Sequence, residues 1–128
     1  MQKIVAFLLA GGAAACAGQA SVPHLQGRWS LVEPGGQPTT ATASGPTPWL
    51  MIKAESIEGY DGCNQFSGRL DAPGSIMATR RGCAPGAVKL PLNLADPLPQ
   101  LKAGQVHGER LDVPSTEGMP GFTMRKTP

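Results

Sequence analysis

Polar and apolar positions alternate over residues 27–33, GRWSLVE, which puts Trp29 and Leu31 on one side of an extended segment. That period of two predicts a strand with one buried face. Trp49 to Lys53 opens as a continuous apolar run, and Ser56 to Tyr60 follows as a second short strand. Phe66 to Leu70 and Ile76 to Thr79 flank DAPG at Asp71 to Gly74, whose proline and glycine suit a tight turn. Arg110 to Val113 and Phe122 to Lys126 read as closing strands, separated by the turn-rich PSTEGMPG. Gly35 to Pro48 has almost nothing to bury and is expected to be a variable surface loop rather than a binding element.

The period changes between Pro85 and Ala103. Leu90, Leu94, Leu98 and Leu101 are spaced by four, four and three, as on one face of a helix. Pro91, Pro97 and Pro99 interrupt that face, because proline has no N–H to continue a helical ladder. A short helix over 97–103 is therefore predicted, after an irregular turn. Asp96 and Pro97 resemble its N-cap and first position, and Gly104 its stop.

Residues 1–15 read as a signal peptide. Lys3 precedes the apolar stretch Ile4 to Leu9, and small residues run from Gly11 to Ala15. The stretch is shorter than the ~20 residues a bilayer-spanning helix needs. Ala13-Ala14-Ala15-Cys16 resembles a lipobox, with alanine where leucine is usual, and would leave Cys16 as a lipidated amino terminus. Ordinary cleavage at the A-x-A pattern Ala15-Cys16-Ala17 is the alternative. The lipoprotein reading is preferred because Cys16 directly follows the small residues. Ala17, lacking acidic character, favours the outer membrane, with the domain facing the periplasm. Residues 16–24 then form the anchor and tether, and 25–126 the folded domain.

Either cleavage leaves two of the three cysteines, Cys63 and Cys83, in the domain, in an oxidising compartment. They lack the C-x-x-C spacing of a redox-active pair, so a structural disulfide is expected. Removal of the leader takes away Lys3 and leaves charge nearly balanced, from 11 basic and 9 acidic residues in the whole chain. Nothing clusters Lys and Arg as a phosphate backbone requires, so no nucleic acid is expected as a partner. His24, in the tether, and His107, expected in a loop, lack the paired short spacings of zinc sites, and no metal or cofactor is expected. Only His107 of the two falls well inside the domain, without a nucleophile elbow near it, and catalysis is not expected.

GYDGCNQFSG at Gly59 to Gly68, followed by TRRGC at Thr79 to Cys83, is the most specific feature of the chain. Gly62, Cys63, Asn64, Phe66 and Gly68, then Thr79, Arg80, Cys83 and Pro85, resemble the signature of the META, or HslJ-like, domain of bacterial envelope proteins. Trp29 and Leu31, and the closing Gly108, Leu111 and Val113, fit the same pattern, so the resemblance spans Leu25 to Lys126. It departs at Arg81-Gly82, where a hydrophobic and a small residue are usual, so the strand there should end early. The proline-rich Pro91 to Pro99 also replaces a longer helix. The resemblance implies an α+β fold, a small curved antiparallel sheet, cracked-barrel-like, packed around one short helix. Its architecture is similar to that of lipid-binding secretin pilot proteins, which suggests an apolar groove. The family brings a location with it and no established activity.

Within this frame Asn64 is expected to shape a tight turn, with ligand binding as the sharper alternative. Arg80 and Arg81 form a local basic pair; they either snorkel and pair with carboxylates or recognise an anionic head group. Asp61, Gln65 and Ser67 read as the solvent face of one strand. Trp29, Trp49, Phe66 and Phe122 read as core. The resulting expectation is a monomeric, non-enzymatic envelope lipoprotein, held to the membrane by Cys16. It would bind an envelope protein or an apolar ligand in envelope maintenance or stress tolerance. The alternative is an unanchored periplasmic or secreted inhibitor or ligand-binding module.

Overall fold

Alternating side chains sort the chain into one sheet whose inner face gathers the apolar residues. In the computed structural model, residues 22–32, 46–83, 85–116 and 118–128 are described. The signal-peptide segment, Cys16 and most of the Gly35–Pro48 loop lie outside them. Among the described residues eight strands form: β1 (Gly27–Val32), β2 (Trp49–Ile52), β3 (Ser56–Tyr60), β4 (Gln65–Arg69), β5 (Met77–Ala78), β6 (Gln105–His107), β7 (Arg110–Val113) and β8 (Phe122–Thr127). One helix, α1 (Leu98–Ala103), precedes β6. The strand order is β5-β4-β3-β2-β1-β8-β7-β6, and the sheet does not close. Every neighbouring pair is antiparallel.

Registry matches the inward positions to one another. Trp29 pairs with Leu50, Leu31 with Met124, Ile52 with Ile57, and Leu111 with Met124 on its other side. All of these side chains are buried in one cluster. Phe66 lies opposite Gly59, and a Cβ on Gly59 would stand 2.8 Å from the Phe66 ring. Glycine there lets the ring lie flat against the neighbouring strand. Leu90 and Leu101 are buried, and Leu94 and Leu98 pack against the same cluster, yet only 98–103 is helical. Those leucines share a side through an irregular path rather than along a continuous helix.

Gln100 accounts for how that path is held. Its buried amide accepts from the Asn93 N–H at 2.7 Å and donates to the Pro91 carbonyl at 2.9 Å. Two backbone groups of a proline-broken segment thereby find partners that no helix or strand supplies.

Several expectations are corrected. The tether ends earlier than residue 24: Val22 and Leu25 are core residues on a short 3-10 turn, Pro23–Leu25. The Trp29 indole N–H donates to the Leu25 carbonyl at 2.8 Å, tying that turn to β1. Trp49 is only half-buried and faces outward, with the Arg28 guanidinium 4.0 Å from its ring centroid. Asp96 does not cap α1; Pro97 holds the N-cap position with no side-chain cap bond. His107 lies in β6, a strand whose single apolar residue, Val106, gave no alternation to read. The strand expected over Ile76 to Thr79 is reduced to Met77–Ala78, ending early as the Arg81-Gly82 departure implies.

At the β4 end, the Arg69 guanidinium bonds Asp71 at 2.6 and 2.7 Å and Glu55 at 2.9 Å. The Arg69 hydrogen bond holds the Asp71 carboxyl below its ordinary range. Its support is present above the usual carboxylate pKa and fades as pH falls through the lowered one. The pair is exposed, so it contributes little.

Candidate functional site

The turn between β3 and β4 carries the signature residues. Asp61 is 7 % exposed, buried rather than on the solvent face expected for it, because its carboxylate is consumed by the turn. Oδ1 accepts from the N–H groups of Cys63 at 2.8 Å and Asn64 at 2.7 Å. Gln65 and Ser67 are exposed, as read from the sequence. Gly62 has φ +101°, and a Cβ there would collide with the Val88 carbonyl oxygen. Only glycine permits both that conformation and that approach.

Asn64 acts as a clamp. Its Oδ1 accepts from the backbone N–H groups of Arg81 at 2.5 Å and Gly82 at 3.2 Å, and from the Thr79 hydroxyl at 3.2 Å. The disulfide Cys63–Cys83 fastens the same two segments, with Cα atoms 4.2 Å apart. The Asn64 carbonyl amide oxygen is thus engaged by the chain itself. The side chains of Arg80 and Arg81 are exposed, and neither takes part in an ion pair among the described residues. Replacing Asn64 with alanine should lower the unfolding free energy by about 1–2 kcal/mol, the worth of a few partly exposed hydrogen bonds. Urea unfolding measures it; an unchanged midpoint would mean that the clamp holds nothing.

The signature turn also builds one wall of a groove. The Leu90 N–H donates to the Asp61 carbonyl at 2.8 Å, and Gly62 packs against Val88. The segment from Val88 to Pro91, held in this way, lines a groove of about 790 Å³. The rest of the lining comes from the end of the sheet where β1 and β7 finish and β8 begins: Leu31, Val32, Val113, Phe122 and Thr123. Pro114 and Pro120 add apolar surface, and Gln105, His107, Lys89 and Asp112 add polar groups. The volume falls within the ~300–1,000 Å³ of small-molecule sites. Asp112 is already engaged, by Arg110 Nε at 3.1 Å and the Thr123 hydroxyl at 2.9 Å. The other histidine, His24, donates to the Gly104 carbonyl at 3.2 Å and is part of the N-terminal packing.

Sequence reading placed its candidates in the signature turn; the resemblance suggested an apolar groove without locating it. Its lining is drawn from five separated stretches of chain, each an ordinary strand end or proline turn. The signal that could have pointed there is Gly62, whose lack of a side chain serves the Val88–Pro91 wall.

Among the described residues no helix is long and apolar enough to cross a membrane. No three His, Cys, Asp or Glu side chains there come together as a metal-binding group. Compared with known families, the chain matches the META domain over residues 22–126. No curated protein and no solved structure matches it.

Proposed function

The chain belongs to the META domain family, and from that premise we propose that it is a non-enzymatic binding protein of the cell envelope. Its ligand is apolar and elongated, of the acyl-chain type, and lies in the groove beside the signature turn. The observation that carries this reading is the groove itself, whose hydrophobic lining includes Leu31, Val88, Val113 and Phe122. Apolar contact supplies affinity there at roughly 25 cal/mol per Å² removed from water, before the losses of immobilising the ligand.

The envelope setting is supported by the leader-like residues 1–15 and by the Cys63–Cys83 bond, which suits an oxidising compartment. Anchoring through lipid on Cys16 would hold the domain at the outer membrane facing the periplasm, as a monomer, where it would serve envelope maintenance or stress tolerance. The second reading is a free periplasmic or secreted module with the same groove.

N-phenyl-1-naphthylamine, a neutral apolar probe, tests the groove. The protein should bind it saturably with enhanced fluorescence. Val88→Asp should weaken binding at least about tenfold, because a carboxylate would have to be desolvated against the probe. Val88 is 38 % exposed, so the substitution should leave folding intact. The absence of saturable binding to the unaltered protein would sink the reading. The intact mass of protein made with its own leader decides the anchor separately: an acylated chain beginning at Cys16 supports it, and an unlipidated chain leaves the free module.

A further inference from the structure

Across β1, β8 and β7 the outer face of the sheet gathers three arginines that the sequence scatters. In β1 the core takes Trp29 and Leu31, so Arg28 and Ser30 point outward. The same alternation turns Arg125 outward in β8, and Arg110 outward in β7. These strands are adjacent in the order β1-β8-β7. Registry sets Arg125 directly opposite Arg110 on one side and opposite Ser30 on the other, with Arg28 two residues from Ser30. Three guanidinium groups therefore share one face across three strands spaced ~4.8 Å apart.

Like charges directly opposite one another destabilise a strand pair, so folding alone does not call for this arrangement. Asp112 neutralises Arg110, and on β3 Glu58 faces Lys53 at 4.0 Å. Among the described residues, Arg28 and Arg125 have no carboxylate partner. Arg28 is held in place by its stacking on the half-buried Trp49 ring, 4.0 Å from the centroid.

We propose that this face, Arg28, Arg110 and Arg125 with Trp49 beside them, docks on the phosphate head groups of an anionic bilayer. The chemistry matches on two counts. Guanidinium forks bind phosphate oxygens in pairs, and a half-buried indole on the outer face suits the head-group layer. The surface is a sheet face and not a pocket, which suits an extended array of head groups better than one small anion. With ~1 kcal/mol for each unpaired arginine near an anionic surface, Arg28 and Arg125 each contribute about fivefold to partitioning and the two together about thirtyfold, while Arg110, its charge offset by Asp112, adds guanidinium hydrogen bonds. Docking of this kind orients the domain on the membrane. It depends neither on the groove nor on lipid at Cys16.

The test uses residues 17–128, which retain the whole eight-stranded sheet and its core and lack Cys16. Partitioning is measured by sedimentation with phosphatidylcholine vesicles, with and without about one third phosphatidylglycerol. The unaltered protein should prefer the anionic vesicles by about thirtyfold at low salt, and lose that preference as salt screens it. Arg28→Gln/Arg110→Gln/Arg125→Gln should abolish the preference. Arg80→Gln/Arg81→Gln/Lys102→Gln, which removes equal charge elsewhere, should keep most of it. Equal loss in both triple variants would overturn the proposal in favour of net charge, and no preference in the unaltered protein would overturn it outright. Arg125→Gln alone removes a like-charge contact, so it should melt no lower than the parent yet partition about fivefold more weakly. Unchanged partitioning of that single variant would also overturn it.

Discussion

Trp29→Ala should lower the unfolding free energy by about 3–5 kcal/mol, the range for truncating a buried aromatic. Trp29 is fully buried, and its position in β1 places it between β2 and β8, opposite Leu50 on one side and Lys126 on the other. The Lys126 ammonium covers its ring at 5.5 Å. Its indole also fixes the N-terminal turn through the Leu25 carbonyl, so truncation releases Val22 and Leu25 from the core as well. A domain stable by about 5–15 kcal/mol loses a large fraction of that margin. Trp29→Phe separates the two contributions. Most of the apolar volume remains, and the buried Leu25 carbonyl is left without a partner, at a cost of about 1–3 kcal/mol. Thermal melts of both variants check this; a loss below about 1 kcal/mol for alanine would show that the cluster closes over the gap.

Removing the disulfide, as Cys63→Ala/Cys83→Ala, should destabilise the domain by about 3 kcal/mol. The bond spans 20 residues, and the chain-entropy estimate for a loop of that length gives this value at room temperature. In urea the midpoint should fall by between about 1 and 3 M, since slopes for small proteins are about 1–3 kcal/mol per M. The slope itself should rise, because the unfolded chain is no longer held compact. The bond and the Asn64 clamp secure the same pair of segments. Neighbouring constraints are not additive, so Asn64→Ala should cost less in the disulfide-free protein than in the parent. An unchanged midpoint on reduction would mean that the 79–83 segment is held by its hydrogen bonds alone.

These two sites show how unevenly the chain could be read. The strand around Trp29 declares itself by alternation, and the strands flanking DAPG and PSTEGMPG by the turns between them, although the one after DAPG shrinks to Met77–Ala78. Trp49 misled because an aromatic residue in an apolar run looks like core; the register of β2 against β1 turned it outward beneath Arg28. Asp61 misled in the opposite direction. A carboxylate beside a strand is ordinarily solvated, but here two backbone N–H groups of a tight turn take it inside. The leucines from Leu90 to Leu101 have helical spacing without a helix, since packing needs only that they reach the same cluster.

By itself the sequence determined the inward face of the first strand, where the turns and most of the other strands fall, that Cys63 and Cys83 are the pair inside the domain, and that a META domain is present. Those follow from local periods, turn chemistry and a contiguous signature, each carried by residues close along the chain. Only the tertiary structure decided that the first strand lies beside the last. That pairing joins residues about a hundred positions apart, and no local preference encodes which distant partner a strand will take. It brings the ends of β1, β7 and β8 to the wall held by Gly62, which makes the groove. It also aligns Arg28, Arg125 and Arg110 on one face, although they lie far apart along the sequence.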